Sequence, residues 1–237
     1  MNISNGILLA GGAGTRLAPI TDYYNKHMVP IKNKFIIDYS IETIKNIGIT
    51  NLTVVLGGAH FAQVVSHLKD GSLHGLNINY CFQNEPKGIA QAVSLCQRFV
   101  ADDDKFVLML GDNLFENKIQ FIDSSKLAQI VLCKHDELLR FGVASIQYTE
   151  IVKIEEKPKV IDNTFDNFAI TGCYLFDQKF FEYYKLIKPS ARNEFEIAHI
   201  IDLYNKNDEL GYILADGWWQ DAGSFDSIQI VNKLLGN

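Results

Sequence analysis

From Gly6 to Leu17 the chain reads Gly-Ile-Leu-Leu-Ala-Gly-Gly-Ala-Gly-Thr-Arg-Leu, and no other stretch narrows the possible folds as much. The apolar run Ile7, Leu8, Leu9 reads as a buried strand. The glycines at 11, 12 and 14 that follow let backbone N–H groups turn toward a bound anion. The loop lacks the Gly-Lys-Ser/Thr ending of a P-loop and the Gly-x-Gly-x-x-Gly spacing of a dinucleotide fold, so neither common nucleotide motif accounts for it. Its cations come later, at Arg16 and Lys26. A guanidinium forks onto two phosphate oxygens and a lysine adds a mobile point charge, a pair that suits a triphosphate chain. Glycine-rich turns after strands also arise for steric reasons alone, and the glycines by themselves do not separate the two readings.

Downstream, the pattern repeats as strand, turn and helix. Ile37, Ile41 and Ile44 recur at helical spacing up to Gly48, and 51–56 is a β-branched apolar strand. Gly57-Gly58 turns into an amphipathic stretch around Phe61, Val64, Val65 and Leu68. Residues 77–83 predict a third strand, 88–99 a third helix, and 105–110 a strand apolar almost throughout, as in a sheet covered on both faces. The second half keeps less of this rhythm. Residues 142–156 and 168–176 read as extended, 194–204 as helical, 212–214 and 217–219 as short extended pieces, and 225–235 as a closing helix. A mixed sheet is expected there. Asp102-Asp103-Asp104 reads as a solvated loop.

With 237 residues, 47% of them hydrophobic, the chain is long enough for one α/β domain over 1–237. No apolar run approaches the ~20 residues of a membrane span. No basic-then-apolar leader precedes Gly6, so a cytoplasmic protein without a membrane partner is expected. A net charge of −6 argues against nucleic acid as a partner. Cys81, Cys96, Cys133 and Cys173 show neither zinc nor redox spacing and read as buried free thiols.

Open parallel sheets bind ligands beyond the carboxyl ends of their strands, so the loops there carry the chemistry. After the third strand comes Gln83-Asn84-Glu85-Pro86-Lys87-Gly88-Ile89-Ala90-Gln91-Ala92, and after the fourth Gly111-Asp112-Asn113. An aspartate so placed can hold a divalent cation, although Gly-Asp-Asn is also good turn chemistry. Glu155-Glu156-Lys157-Pro158 is by itself a charged strand end. The histidines, His27 included, and the pair Trp218-Trp219 read as structural.

Taken whole, Leu-Ala-Gly-Gly-x-Gly-Thr-Arg-Leu-x-Pro-x-Thr followed by Asn-Lys-x-x-x-Pro-Ile resembles the signature of the sugar-phosphate nucleotidyltransferases, and the resemblance extends to Asp221 and its helix. The subgroup it is most similar to is the glucose-1-phosphate thymidylyltransferases. That resemblance implies a Rossmann-like three-layer sandwich with a mixed, mainly parallel central sheet, the nucleotide-diphospho-sugar transferase fold. It implies that Leu9, Ala10, Gly11, Gly12, Gly14, Thr15 and Arg16, with Gln83, Pro86, Gly88 and Asp112, meet a nucleoside triphosphate. A sugar 1-phosphate would meet Asn113, Gly142, Glu156, Lys157, Gly172 and Tyr174, with Gly142 and Gly172 admitting its close approach. Asp112 and Asp221 would hold Mg²⁺, and Arg16, Lys26 and Lys157 would serve catalysis.

The carboxamide of Gln83 can donate to a carbonyl and accept from a ring N–H, matching the edge that thymine and uracil share. Cytosine reverses that edge, and a free amide could flip to match, so discrimination requires neighbours that lock it. Departures from the family pattern are the missing proline in Lys32-Asn33-Lys34-Phe35 and the loop around His135 to Arg140. Longer members carry extra C-terminal helices tied to assembly and feedback. Those properties are not carried over, and a monomer or homodimer is expected.

Overall fold

The computed structural model describes residues 3–100 and 105–236, which leaves the run Asp102-Asp103-Asp104 outside the described residues. The first half runs β1 (Asn5–Ala10), a small hairpin of β2 (Pro30–Ile31) and β3 (Lys34–Phe35), α1 (Ile36–Ile47), β4 (Asn51–Leu56), α2 (Phe61–Leu68), β5 (Asn77–Phe82), α3 (Ile89–Ser94) and β6 (Phe106–Leu110). Strands β5, β4, β1 and β6 lie side by side in parallel. The second half adds β7 (Asn113–Phe115), β8 (Ala128–Cys133), β9 (Gly142–Gln147), β10 (Glu150–Glu156), β11 (Asp166–Phe176), α4 (Lys179–Tyr184), α5 (Ile197–Lys206), β12 (Leu210–Leu214), β13 (Trp219–Asp221) and α6 (Phe225–Leu234). The main sheet runs β10-β9-β11-β6-β1-β4-β5, with β8 on β11 and β12 on β8.

Alternation along the strands builds the layers. Ile7 on β1 and Phe106 and Leu108 on β6 face a core shared with Phe180 of α4 and Ile200, Ile201 and Tyr204 of α5. Leu8 and Ala10, with Val107 and Met109, face the opposite core, against Ile37, Ile41 and Ile44 of α1 and Val64 and Leu68 of α2. A sheet whose two faces are both apolar must be covered twice, which gives the three-layer sandwich. All four cysteines are free and buried. Among the described residues no helix is long and apolar enough to cross a membrane.

Several elements differ from the sequence reading. The third helix stops at Ser94, whose hydroxyl donates back to Gln91 O (2.7 Å), and a 3-10 turn over Gln97–Phe99 follows. The extended stretch 142–156 is an antiparallel hairpin turned at Tyr148-Thr149, both at positive φ. No glycine or asparagine marks that turn. β7, β8 and α4 were not anticipated, and the extended piece expected at 217–219 lies at Trp219–Asp221, paired with β7.

β11 is what joins the halves. Its start pairs with β9, its end with β6, and its register against β8 shifts between Ile170 and Tyr174. The shift falls at Thr171-Gly172-Cys173, beside the carboxyl end of β6. Irregularities of this kind re-aim a strand next to functional sites.

Candidate active site

Beyond the carboxyl end of β1 the chain turns at Gly14, with φ +66°. A Cβ there would lie 2.8 Å from Thr21 Cγ2 and 2.9 Å from Lys26 Cβ, so the turn admits only glycine. Leu9, Gly11, Gly12, Lys26, Gln83, Pro86, Gly88 and Asp112 line a cavity of about 280 Å³. Gly14 and Ala10 line neither this cavity nor its neighbour, and Ala10 is wholly buried in the core. The Ala10 side chain packs in the core and Gly14 shapes the turn.

Gln83 is buried in the wall of the cavity. Its Nε2 donates to Gln91 Oε1 (2.6 Å) and to Gly88 O (3.3 Å). No buried side-chain nitrogen or oxygen among the described residues lacks a partner, so Oε1, which has none, opens into the cavity. Gln83 therefore offers an acceptor only, where the sequence reading had it both donating and accepting.

Asp112 and Lys26 stand at the floor, with Lys26 Nζ 2.5 Å from Asp112 Oδ2. Asn113 Nδ2 donates to Asp112 Oδ1 (2.9 Å). Burial disfavours the Asp112 charge, but the Lys26 cation and these two hydrogen bonds outweigh it and hold the carboxyl well below the usual range. His27, wholly enclosed, keeps its Nδ1 against Asn25 Oδ1 (2.8 Å). Burial, with Lys26 beside it, pushes its pKa down to about 3, so the ring is neutral. The structural reading of His27 fits this environment.

Asp221 comes from the other half of the chain. Register places it opposite Asn113 across β13 and β7, and the Ala222 N–H donates to Asp112 O (2.7 Å). Its Oδ1 accepts from Gln220 Nε2 (3.1 Å), Arg140 Nη2 (3.2 Å) and Ser227 Oγ (3.3 Å). Its Oδ2 lies 4.0 Å from Arg16 Nη2. Both aspartates face a second cavity of about 610 Å³, which also takes in Thr15, Arg16, Asn113, Gly142, Glu156, Lys157, Gly172 and Tyr174. The two cavities share Asp112, Glu156 and Lys157, and so form one cleft.

At the far end, Lys157 takes φ +45° directly before Pro158, a conformation that costs of order 1–3 kcal/mol in a non-glycine residue. Its side chain is half exposed, with Glu156 Oε1 at 3.8 Å its only ion-pair partner among the described residues. Burial raises the Glu156 carboxyl even though Lys157 and Arg192, whose Nη2 donates to Glu156 Oε1 (3.1 Å), work against it. Burial, with Glu156 near it, keeps the Tyr174 phenol un-ionised.

Asn113 is tied down on three sides. Its Oδ1 accepts from the Gly172 N–H (2.8 Å) and Trp219 Nε1 (2.7 Å), and its Nδ2 serves Asp112. Those bonds make it a clamp on Asp112 in the wall of the cleft. Gly172 belongs to the same arrangement, since a Cβ at 172 would lie 2.5 Å from Asn113 Cγ. The missing side chain makes room for the clamp.

The profile of the family described as nucleotidyl transferase matches residues 5–237. The chain belongs to the nucleotidyl transferase family. It is 35% identical to the low-salt glycan biosynthesis nucleotidyltransferase Agl11 of Haloferax volcanii, over 97% of this chain and 65% of that protein. It is 34% identical to a glucose-1-phosphate thymidylyltransferase of Streptomyces antibioticus, again over 97% and 65%. The chain thus spans just under two thirds of the length of these two relatives. A crystal structure from Bacillus anthracis, assigned as a glucose-1-phosphate thymidylyltransferase and solved with sucrose, superposes with a TM-score of 0.90. It shares 42% identity, over 98% of this chain and 94% of that one.

In this member of the nucleotidyl transferase family, Arg140, Arg192 and Trp219 reach the site or its supports without having been assigned to it from the sequence, while Gln91 stands in the marked stretch 83–92. Arg140 closes the loop that departs from the family pattern, two residues ahead of Gly142, and Arg192 stands two residues ahead of the helical stretch 194–204; that adjacency was the available signal. Across the cleft, Arg16, Lys26, Arg140, Lys157 and Arg192 are matched by Asp112, Glu156, Glu194, Glu196 and Asp221. A lining that carries both signs suits an anion that brings a counter-cation with it.

Proposed function

We propose that this chain transfers a nucleotidyl group from a nucleoside triphosphate, dTTP preferred, to a sugar 1-phosphate, glucose 1-phosphate preferred. The observation that carries this is the cleft itself: an acceptor-only glutamine at one end, Lys157 and Arg192 beside Glu156 at the other, and Asp112 with Asp221 between them. Thymidylyltransferase relatives at 34% and 42% identity support the choice of substrates.

In this reading a phosphate oxygen of the sugar 1-phosphate attacks the α-phosphorus. The bond from that phosphorus to the oxygen bridging to the β-phosphate breaks, and pyrophosphate leaves with its electron pair. The attacking phosphate is already an anion near neutral pH, so no general base is needed. Arg16 and Lys26 balance the triphosphate, and Lys157 draws in the acceptor phosphate against the repulsion between two anions. The two carboxylates are hard oxygen donors, Asp112 in the turn before β7 and Asp221 at the end of its partner β13, a set that fits Mg²⁺, which takes one or two carboxylates and completes its shell with phosphate oxygens and water. Bound there, the ion would neutralise charge on the transferring phosphoryl group. Thymine differs from uracil by one methyl, worth ~0.8 kcal/mol when buried, so UTP serves at about a quarter of the efficiency of dTTP.

The test is pyrophosphate release from dTTP, UTP, CTP, ATP and GTP against a panel of sugar 1-phosphates. The reading expects dTTP first, UTP second and glucose 1-phosphate favoured. A purine triphosphate as best donor, or no release with any pair, overturns it.

A further inference from the structure

We infer that Gln91 is a positioning residue that sets the base preference of the cleft by fixing which end of the Gln83 carboxamide meets the base. The inference rests on the reading above, that the cleft takes a pyrimidine nucleoside triphosphate, and adds the residue that makes the choice between pyrimidines.

Hydrogen-bond logic assigns both amides. Gly88 O is a backbone carbonyl and can only accept, so the Gln83 group facing it at 3.3 Å is Nε2. The second Nε2 proton points to the Gln91 side chain at 2.6 Å, so Gln91 presents its oxygen there. Two protons and two acceptors saturate Nε2, and Oε1 is left to the cavity. An acceptor so fixed pairs with the N3–H of thymine or uracil. Against cytosine it meets the N3 lone pair, and the two repel.

Sequence places the lock within reach. Gln83 follows β5 and Gln91 sits in the first turn of α3, eight residues on, across the loop that closes at Gly88. Gly88 itself takes φ +98°, where a Cβ would lie 2.6 Å from Phe195 O, so the loop and its carbonyl are held in place by α5's leading segment. Of the two partners, the Gln91 bond is the shorter, and its removal leaves Gly88 O as a lone, long acceptor. Turning the amide over then forfeits one long bond and sets Oε1 against Gly88 O, where before it forfeited the short bond as well, and it presents Nε2 to a cytosine.

The experiment compares kcat/KM for dTTP and CTP, with saturating glucose 1-phosphate, in the wild-type protein, Gln91→Met and Gln91→Glu. Methionine fills similar volume without an acceptor, whereas a carboxylate keeps one. The dTTP:CTP ratio is expected to fall about five- to tenfold in Gln91→Met, the loss of one hydrogen bond, and to stay within about twofold in Gln91→Glu. A ratio unchanged in Gln91→Met, with dTTP still preferred by the wild type, overturns the inference alone. A wild type that favours CTP, or that uses no pyrimidine triphosphate, overturns the underlying reading and the inference with it. Should Gln91→Met fail to fold, the Gln83 Nε2 protons of the wild-type protein decide by NMR: slow exchange with solvent is expected, and fast exchange of both overturns the lock.

Discussion

The two ends of the cleft are built in different ways. At the nucleotide end, each strand of the parallel half delivers its own following loop, and the bond that fixes Gln83 spans eight residues. At the sugar end the bonds that matter span 59 residues from Asn113 to Gly172, 106 from Asn113 to Trp219 and 81 from Arg140 to Asp221. The parallel half presents ligand groups. The antiparallel half supplies clamps, and a residue that a motif marks for the substrate also holds another residue in place.

Asp112→Asn should produce the largest effect, because it strikes where the halves meet. Turnover is expected to fall 10²–10³-fold, equivalent to ~2.7–4 kcal/mol of barrier. Removing the carboxylate also leaves Lys26 largely enclosed without its partner, since the two side chains are only 16% and 14% exposed. Stability should drop by about 3 kcal/mol in the metal-free protein, and adding Lys26→Met should recover most of it. Equilibrium unfolding and steady-state kinetics read both quantities. Wild-type turnover in Asp112→Asn would remove this residue from the site.

A second substitution separates clamp from contact. Asn113→Asp can still accept from the Gly172 N–H and Trp219 Nε1, but it sets an oxygen against Asp112 Oδ1 where an N–H had been. Turnover should fall about 10–100-fold, as for a partner that orients a metal ligand, with the dTTP KM within about threefold of wild type. A rise in the KM for glucose 1-phosphate with kcat unchanged would return Asn113 to the sugar.

The smallest effect is one of pH, and it belongs to the floor of the parallel half. His27 is neutral in the folded protein, with its pKa down to about 3, while in the unfolded chain it takes up a proton below about 6.5. Its contribution is therefore complete above that pH and is lost progressively as pH falls toward 3. Asp112, also depressed, adds its own loss only below about 4. Between pH 7.5 and 5 the ligand-free protein should lose about 2 kcal/mol through His27, and His27→Gln should flatten that slope. Denaturant unfolding at the two pH values checks it; a wild-type stability that does not change would contradict the buried neutral ring.

Where sequence reasoning worked, the signal was local. The span of β4 and the apolar positions of α1 and α2 followed from periodicity and glycine punctuation, because a parallel βα unit makes each element's burial visible in its own pattern. β8, buried at every position, carries no alternation to read, and the β9–β10 turn has positive φ at Tyr148 and Thr149, which no turn-forming residue announces. In the site, Arg16, Lys26, Asp112, Lys157 and Asp221 were marked by their motifs and all line the cleft.

The sequence by itself determined the family, the covered sheet and those charged groups of the cleft that motifs carry, because these depend on residue type and short-range spacing. Only the tertiary structure decided what each polar side chain is free to do. A carboxamide has two ends and a carboxylate two oxygens, and long-range partners choose between them: Gln91 and Gly88 for Gln83, Gly172 and Trp219 for Asn113, Arg140 and Ser227 for Asp221. Those partners come from segments that folding brings together, and hydrogen bonding acts only at contact distance.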